Sequence, residues 1–232
     1  MTVVTAHEGE VAVIRLDRPE RRNAMDSALL AELLAALDAT RDAHAVVVST
    51  TNTAALSAGA DVGEDLDAAG GVARMEQFTR LYAAVEAHPA PTVAVCVGNC
   101  VGAGAELAAG CDLRIGGDNL KLAWAGARHG VPVGPARLAP LVGVSRAKDW
   151  IFTGRVIGAD EALAAGFLHD AVRAEAAELR ALDLAAGLGD VRQLKQMFGD
   201  LDATSRRVAY ENERLMAFQR TGAGLPRGSS SR

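Results

Sequence analysis

Two stretches of small residues carry the strongest chemical signal in this sequence. They read Ser57-Ala58-Gly59-Ala60-Asp61 and Gly98-Asn99-Cys100-Val101-Gly102-Ala103-Gly104-Ala105-Glu106-Leu107. Each is joined to an apolar run, and side chains this small leave main-chain N–H groups open to a ligand. In the second stretch those groups fall at the predicted start of a helix, where unpaired amides and the helix dipole favour negative charge. Two such sets of amides brought together form an oxyanion hole. The same small residues also suit close packing of a helix on a strand, a use that needs no ligand. Glu106 falls in the first turn of the predicted helix, either as an acid that offsets the dipole or as a proton carrier beside the hole.

The elements that must position these stretches follow from periodicity. Val11 to Leu16 alternates at period two and runs into the turn Asp17-Arg18-Pro19, which predicts a strand. Asp26 or Ser27 can cap a helix whose Leu29, Leu30, Leu33, Leu34 and Leu37 recur at helical spacing. Ala45–Thr50 and Thr92–Val97 are short continuous runs of the kind buried on both faces of a parallel sheet. Between them lies a helical stripe of Val72, Met75, Phe78, Leu81, Tyr82 and Val85 that stops before Pro89. A turn and helix over 98–110, a strand over 112–115 and a helix over 145–152 continue the alternation. The expected fold class is α/β with mostly parallel pairing. From about Arg173 the reading is almost wholly helical (174–188, 191–198 and 203–219). With no strand of its own to pack on, this tail is expected to dock on the core or on a neighbouring subunit. The last stretch, 222–232, is rich in Gly, Ser and Arg and is expected to be disordered.

Composition narrows the function classes. A chain of 232 residues, half of them hydrophobic, has material for one large domain. The 29 acidic against 24 basic residues, a net charge of -5, argue against a nucleic-acid partner that needs a broad basic face. No apolar run approaches the ~20 residues that span a bilayer, and Met1 to Thr5 lack the pattern of a secretory signal; the expectation is a soluble cytoplasmic protein with no membrane partner. Cys96, Cys100 and Cys111 sit among Val, Ala and Gly as small buried residues would. The five histidines are isolated from one another and from cysteine, so no metal site is expected. Gly102-x-Gly104 superficially suggests a dinucleotide fingerprint, but Leu107 stands where its third glycine belongs.

Five landmarks in order give a specific resemblance: Arg18-Pro19-Glu20-Arg21-Arg22-Asn23-Ala24-Met25, Ser57–Asp61, Val97–Leu107 with Cys111-Asp112, Arg137-Leu138 with Leu141-Val142-Gly143, and Thr153-Gly154-Arg155 before Asp160-Glu161-Ala162. The sequence resembles the crotonase, or enoyl-CoA hydratase/isomerase, superfamily. The resemblance implies a crotonase-like spiral of ββα units over 1–172 and a C-terminal helical oligomerisation region over 173–221, building a homo-trimer or hexamer. It implies an acyl-CoA substrate, with coenzyme A as part of that substrate and no separate cofactor. The thioester carbonyl would sit between the N–H groups of Ala60 and Ala103, with Glu106 as catalytic acid or base. Ala103 replaces the glycine usual at the second donor, which keeps the N–H and adds a methyl. Asp61 would hold its loop. Arg21, Arg22, Ala24 and Ala58 are the candidates for CoA contact, with Arg220 and Arg227 as further phosphate partners.

One departure matters. The family's second glutamate aligns on Gly126, so a hydratase with paired carboxylates is not expected. Enoyl-CoA hydration or isomerisation by a single glutamate is the leading expectation, with a catalytically weak or silent acyl-CoA-binding homologue as the alternative. His129, Glu64 and Asp65 are the remaining candidates to replace the missing acid.

Overall fold

The computed structural model describes residues 1–222. Its frame is a six-stranded sheet in the order β1-β2-β3-β5-β7-β9. Strands β1 (Val3–Glu8) and β2 (Val11–Leu16) form an antiparallel hairpin, and β3 (Ala45–Thr50), β5 (Thr92–Cys96), β7 (Leu113–Gly117) and β9 (Asp170–Val172) add in parallel. A second, three-stranded parallel sheet contains β4 (Ala55–Ser57), β6 (Asn99–Val101) and β8 (Lys121–Ala123). The chain therefore winds as a spiral: β3, β4 and α2 (Ala68–Glu86) form one turn, and β5, β6 and α3 (Ala103–Gly110) the next.

The helices form where periodicity placed them, for identifiable reasons. α1 (Ser27–Ala39) is capped by Asp26, whose carboxylate accepts from the Leu29 N–H, and it buries Leu29, Leu30, Leu33 and Leu37. α2 is capped in the same way by Asp67 through the Gly70 N–H. One face of the large sheet, with Val46, Val48 and Ala94, packs in the main core with these helices.

Three further helices, α4 (Pro135–Val142), α5 (Val144–Thr153) and α6 (Ala159–Ala164), precede β9. The tail comprises α7 (Ala177–Ala186), α8 (Arg192–Leu201) and α9 (Thr204–Arg220). The expectation that this tail docks on the core is met at α7. Its Ala177, Ala181 and Ala185 lie against Val11, Val13, Val47, Val93 and Val95 on the opposite face of the large sheet. A stripe of alanine at helical spacing is narrow enough to approach the β-branched surface closely. α9 lies across α2 and buries Val208 and Leu215. α8 buries no residue and leaves Leu194, Met197, Phe198 and Leu201 exposed. The expected disordered tail lies outside the described residues, apart from Gly222.

Candidate active site

Parallel pairing of β4 with β6 brings the two small-residue stretches side by side. Gly59 (φ +100°) marks the contact: a β carbon there would lie 2.9 Å from the Val101 carbonyl oxygen and 3.6 Å from the Ala103 nitrogen. Only a bare backbone fits this conformation and this approach. Gly104 allows the next contact, since its β carbon would lie 2.6 Å from the Ser57 carbonyl oxygen.

Within the two small-residue stretches, main-chain hydrogen bonding leaves the amides of Ala60 and Ala103 free on the cavity side. Around Ala60, the Met25 N–H donates to Gly59 O and the Asp61 N–H donates to Met25 O. Around Ala103, the Gly102 N–H donates to Ala123 O and the Glu106 N–H to Gly102 O. Among the described residues, the N–H groups of Ala60 and Ala103 themselves have no partner. Both residues line a cavity of about 170 Å³ whose walls include Met75, Phe78, Val131 and Leu215. Two unused donors on an apolar cavity fit an oxygen that gains negative charge.

The first loop is held by ions and not by packing alone. Asp61 accepts from Arg18 Nη1 at 2.7 Å and from the Gly63 N–H at 2.9 Å. Burial pushes its carboxyl up, but the Arg18 and Gly63 hydrogen bonds outweigh that and hold it below the usual range. Arg18 also donates to the carbonyl of Ala24, and the Ala58 N–H donates to the carbonyl of Arg22, so the loop carrying Arg21, Arg22 and Ala24 is tied beside Ala58. Arg21 and Arg22 are exposed, as phosphate contact would need, and Arg220 is exposed at the end of α9. Arg227 lies outside the described residues. Sequence reasoning missed Asn23. Its buried amide donates to Thr50 Oγ1 and the carbonyls of Ala55 and Leu56, pinning β3 to β4. A buried Asn in a left-handed conformation (φ 53°) has only the adjoining Arg22, also left-handed, as a local signal.

Glu106 lies elsewhere than a free acid in the cavity would. It is fully buried, accepting from Trp124 Nε1 at 2.5 Å and from Arg137 Nε at 2.6 Å, and it does not line the cavity. Arg137 also donates through Nη2 to Glu211 of α9 at 2.7 Å, lies 3.8 Å from Glu86 of α2, and stacks 4.5 Å from the Tyr82 ring centroid. Three carboxyls thus surround one guanidinium. Burial drives the Glu106 carboxyl upward against the pull of Arg137, and Glu86 is pushed up to about 7. Glu86 is the better seat for a proton, being farthest from the cation and having one buried oxygen without a partner.

The other candidate acids separate clearly. Glu64 bridges the Ser27 N–H and Arg74, which ties α1 to α2. Asp65 is exposed and does not line the cavity. Gly126 and His129 both line it, within the 3₁₀ turn Ala125–His129 that follows β8. At Gly126 the space where a side chain would begin faces Val131 and Val133.

The model of the enoyl-CoA hydratase/isomerase family matches residues 6–223. The chain belongs to that family. It is 31% identical over 216 residues to a probable enoyl-CoA hydratase, echA8, of Mycobacterium bovis, covering 90% of this chain and 80% of the relative. To a probable enoyl-CoA hydratase, EchA17, of Mycobacterium tuberculosis it is 34% identical over 243 aligned positions, covering 94% and 89%. Among solved structures, an enoyl-CoA hydratase from Bacillus anthracis superposes with a TM-score of 0.82 at 27% identity, covering 99% of this chain and all of that one. The spiral core and helical C-terminal region are those of the crotonase fold.

Proposed function

We propose that the chain binds an acyl-CoA thioester with its carbonyl oxygen between the N–H groups of Ala60 and Ala103. It then turns over enoyl-CoA substrates slowly, by hydration or by a double-bond shift. The observation that carries this reading is the pair of unpartnered amides on one apolar cavity. Enolate charge develops on the thioester oxygen as the reaction proceeds, so such donors act more strongly on the transition state than on the substrate. Coenzyme A enters as part of the substrate, with the exposed Arg21 and Arg22, on the loop tied to Ala58, as its phosphate partners. The exposed apolar residues of α8 support assembly as a trimer or hexamer.

Glu106 can be the sole proton carrier only if its carboxylate leaves both Arg137 and Trp124. That engagement, with the valine-lined wall at Gly126, favours a second reading: a thioester-binding homologue with little turnover. Crotonyl-CoA hydration followed beside binding of a saturated acyl-CoA separates the two. The leading reading requires measurable turnover, and tight binding without turnover supports the second. Failure to bind any acyl-CoA would contradict both.

A further inference from the structure

The cavity that holds the two donors has few groups able to move a proton. Among the described residues that line it, only Tyr82 and His129 carry a titratable side chain. Tyr82 is buried under the Arg137 guanidinium, and burial drives its phenol far above its ordinary value, so it stays protonated in neutral solution. His129 is exposed at the cavity edge.

Its position has a geometric reason. The segment Ala125–His129 is a 3₁₀ helix, and in that helix residues three apart eclipse one another. His129 therefore projects over the same face as Gly126, the position aligned with the absent glutamate. The turn is fixed without using the imidazole. Its backbone is closed by the Gly130 N–H to Ala127 O and the Val131 N–H to Gly126 O. On another face Arg128 donates to the carbonyls of Thr153 and Gly154. Phe218 of α9 approaches from the far side, 3.7 Å from where a Gly130 β carbon would stand.

We propose that His129 removes and returns the proton at the α carbon of the thioester bound in this cavity, one 3₁₀ turn beyond the position the family's carboxylate would occupy. The proposal rests on the thioester reading above. The neutral imidazole nitrogen takes the α proton. The C–H electron pair becomes the carbon–carbon double bond of the enolate, and its charge settles on the oxygen between Ala60 and Ala103. Return of the proton from the imidazolium to the α carbon restores the thioester. In heavy water the imidazolium first exchanges its proton, so deuterium enters the substrate with no net reaction and no other reagent.

The test is loss of the α-CH₂ signal of butyryl-CoA in heavy water by proton NMR, alongside calorimetric binding of the same compound, for the full chain and for His129→Ala and His129→Gln. Substitution of an exposed residue should leave the fold intact, which thermal denaturation checks. The expected result is exchange by the unaltered protein that falls by about 10²-fold or more in both variants. Binding should change by less than about threefold, and added imidazole should restore part of the exchange in His129→Ala. Rescue by free imidazole distinguishes proton transfer from a structural role. Unchanged exchange in both variants, or binding without exchange by the unaltered protein, would overturn the assignment to His129. Loss of butyryl-CoA binding by the unaltered protein would instead sink the thioester reading itself.

Discussion

Helix α3 serves two regions of opposite character. At its first residue the Ala103 N–H faces a small apolar cavity with no carboxylate on its lining among the described residues. One turn later Glu106 enters a largely buried cluster in which Arg137 meets Glu86, Glu106 and Glu211. The cavity has unused hydrogen-bonding capacity and no net charge of its own, as a site for a charge that appears only during reaction should. The cluster is crowded with charge and nearly saturated. It joins α2, α3, α4 and α9. In this structure the oxygens of Glu106 touch Trp124 and Arg137 and not the cavity.

The largest effect is expected from removing the cation at the centre of the cluster. Arg137→Met leaves buried carboxylates without a partner, which costs about 3 to 5 kcal/mol for a broken buried pair. Urea denaturation should show that loss, and a variant as stable as the parent would show that the cluster holds nothing together.

At the cavity the expected loss is in rate and not in stability. Ala103 is the first residue of α3, a position where proline is tolerated, so Ala103→Pro deletes one donor while sparing the helix. Crotonyl-CoA turnover should fall by about 10²- to 10³-fold. A folded variant with parental turnover would remove Ala103 from the site.

Much of this division was legible in the sequence. The small-residue stretches were readable as places of bare backbone and close approach, because that requirement is written in residue size; Ala60 and Ala103 within them came from the family resemblance, and both line one cavity. The long elements were equally readable, with the strand over Val11–Leu16 and the helix around Leu29 to Leu37 appearing as periodicity implied. The second sheet was not, because β4, β6 and β8 are three residues each and too short for any period to show. Nor was the fate of Glu106. Its partners Trp124 and Arg137 are 18 and 31 positions away, and nothing local distinguishes an acid that faces a cavity from one that faces an arginine. For α7 only docking on the core was legible and not the face it covers, because an alanine stripe looks like helix propensity until the valine surface beneath it is known.

A smaller effect probes the proton on Glu86. Its carboxyl is raised from 4.5 to about 7, chiefly by burial, so between those values the folded chain binds a proton that the unfolded chain has released. The associated stability is full below about pH 4.5 and is lost as pH rises through about 7, amounting to on the order of 3 kcal/mol at most. Glu86→Gln mimics the protonated form and should flatten that decline when denaturation midpoints are compared from pH 5 to 8. An equal decline in both proteins would place the proton elsewhere in the cluster.

The smallest expected change is a gain. Gly126→Glu puts a carboxylate back at the aligned position, with its β carbon 3.3 Å from the Val131 β carbon, so the wall must give slightly. Crotonyl-CoA hydration should rise, but by less than the ~10²- to 10⁴-fold of a fully formed general acid or base. No rise in a folded variant would mean that the wall at this position does not present a side chain to the substrate.

The central claim is that two backbone amides polarise a thioester carbonyl, and the carbonyl itself reports on this most directly. Infrared difference spectra of butyryl-CoA carrying ¹³C at the thioester carbon isolate that one stretch in the bound state. The account predicts a shift to lower frequency on binding to the parent protein, and a smaller shift on binding to Ala103→Pro. A bound carbonyl at its solution frequency, or the same shift in both proteins, would contradict it.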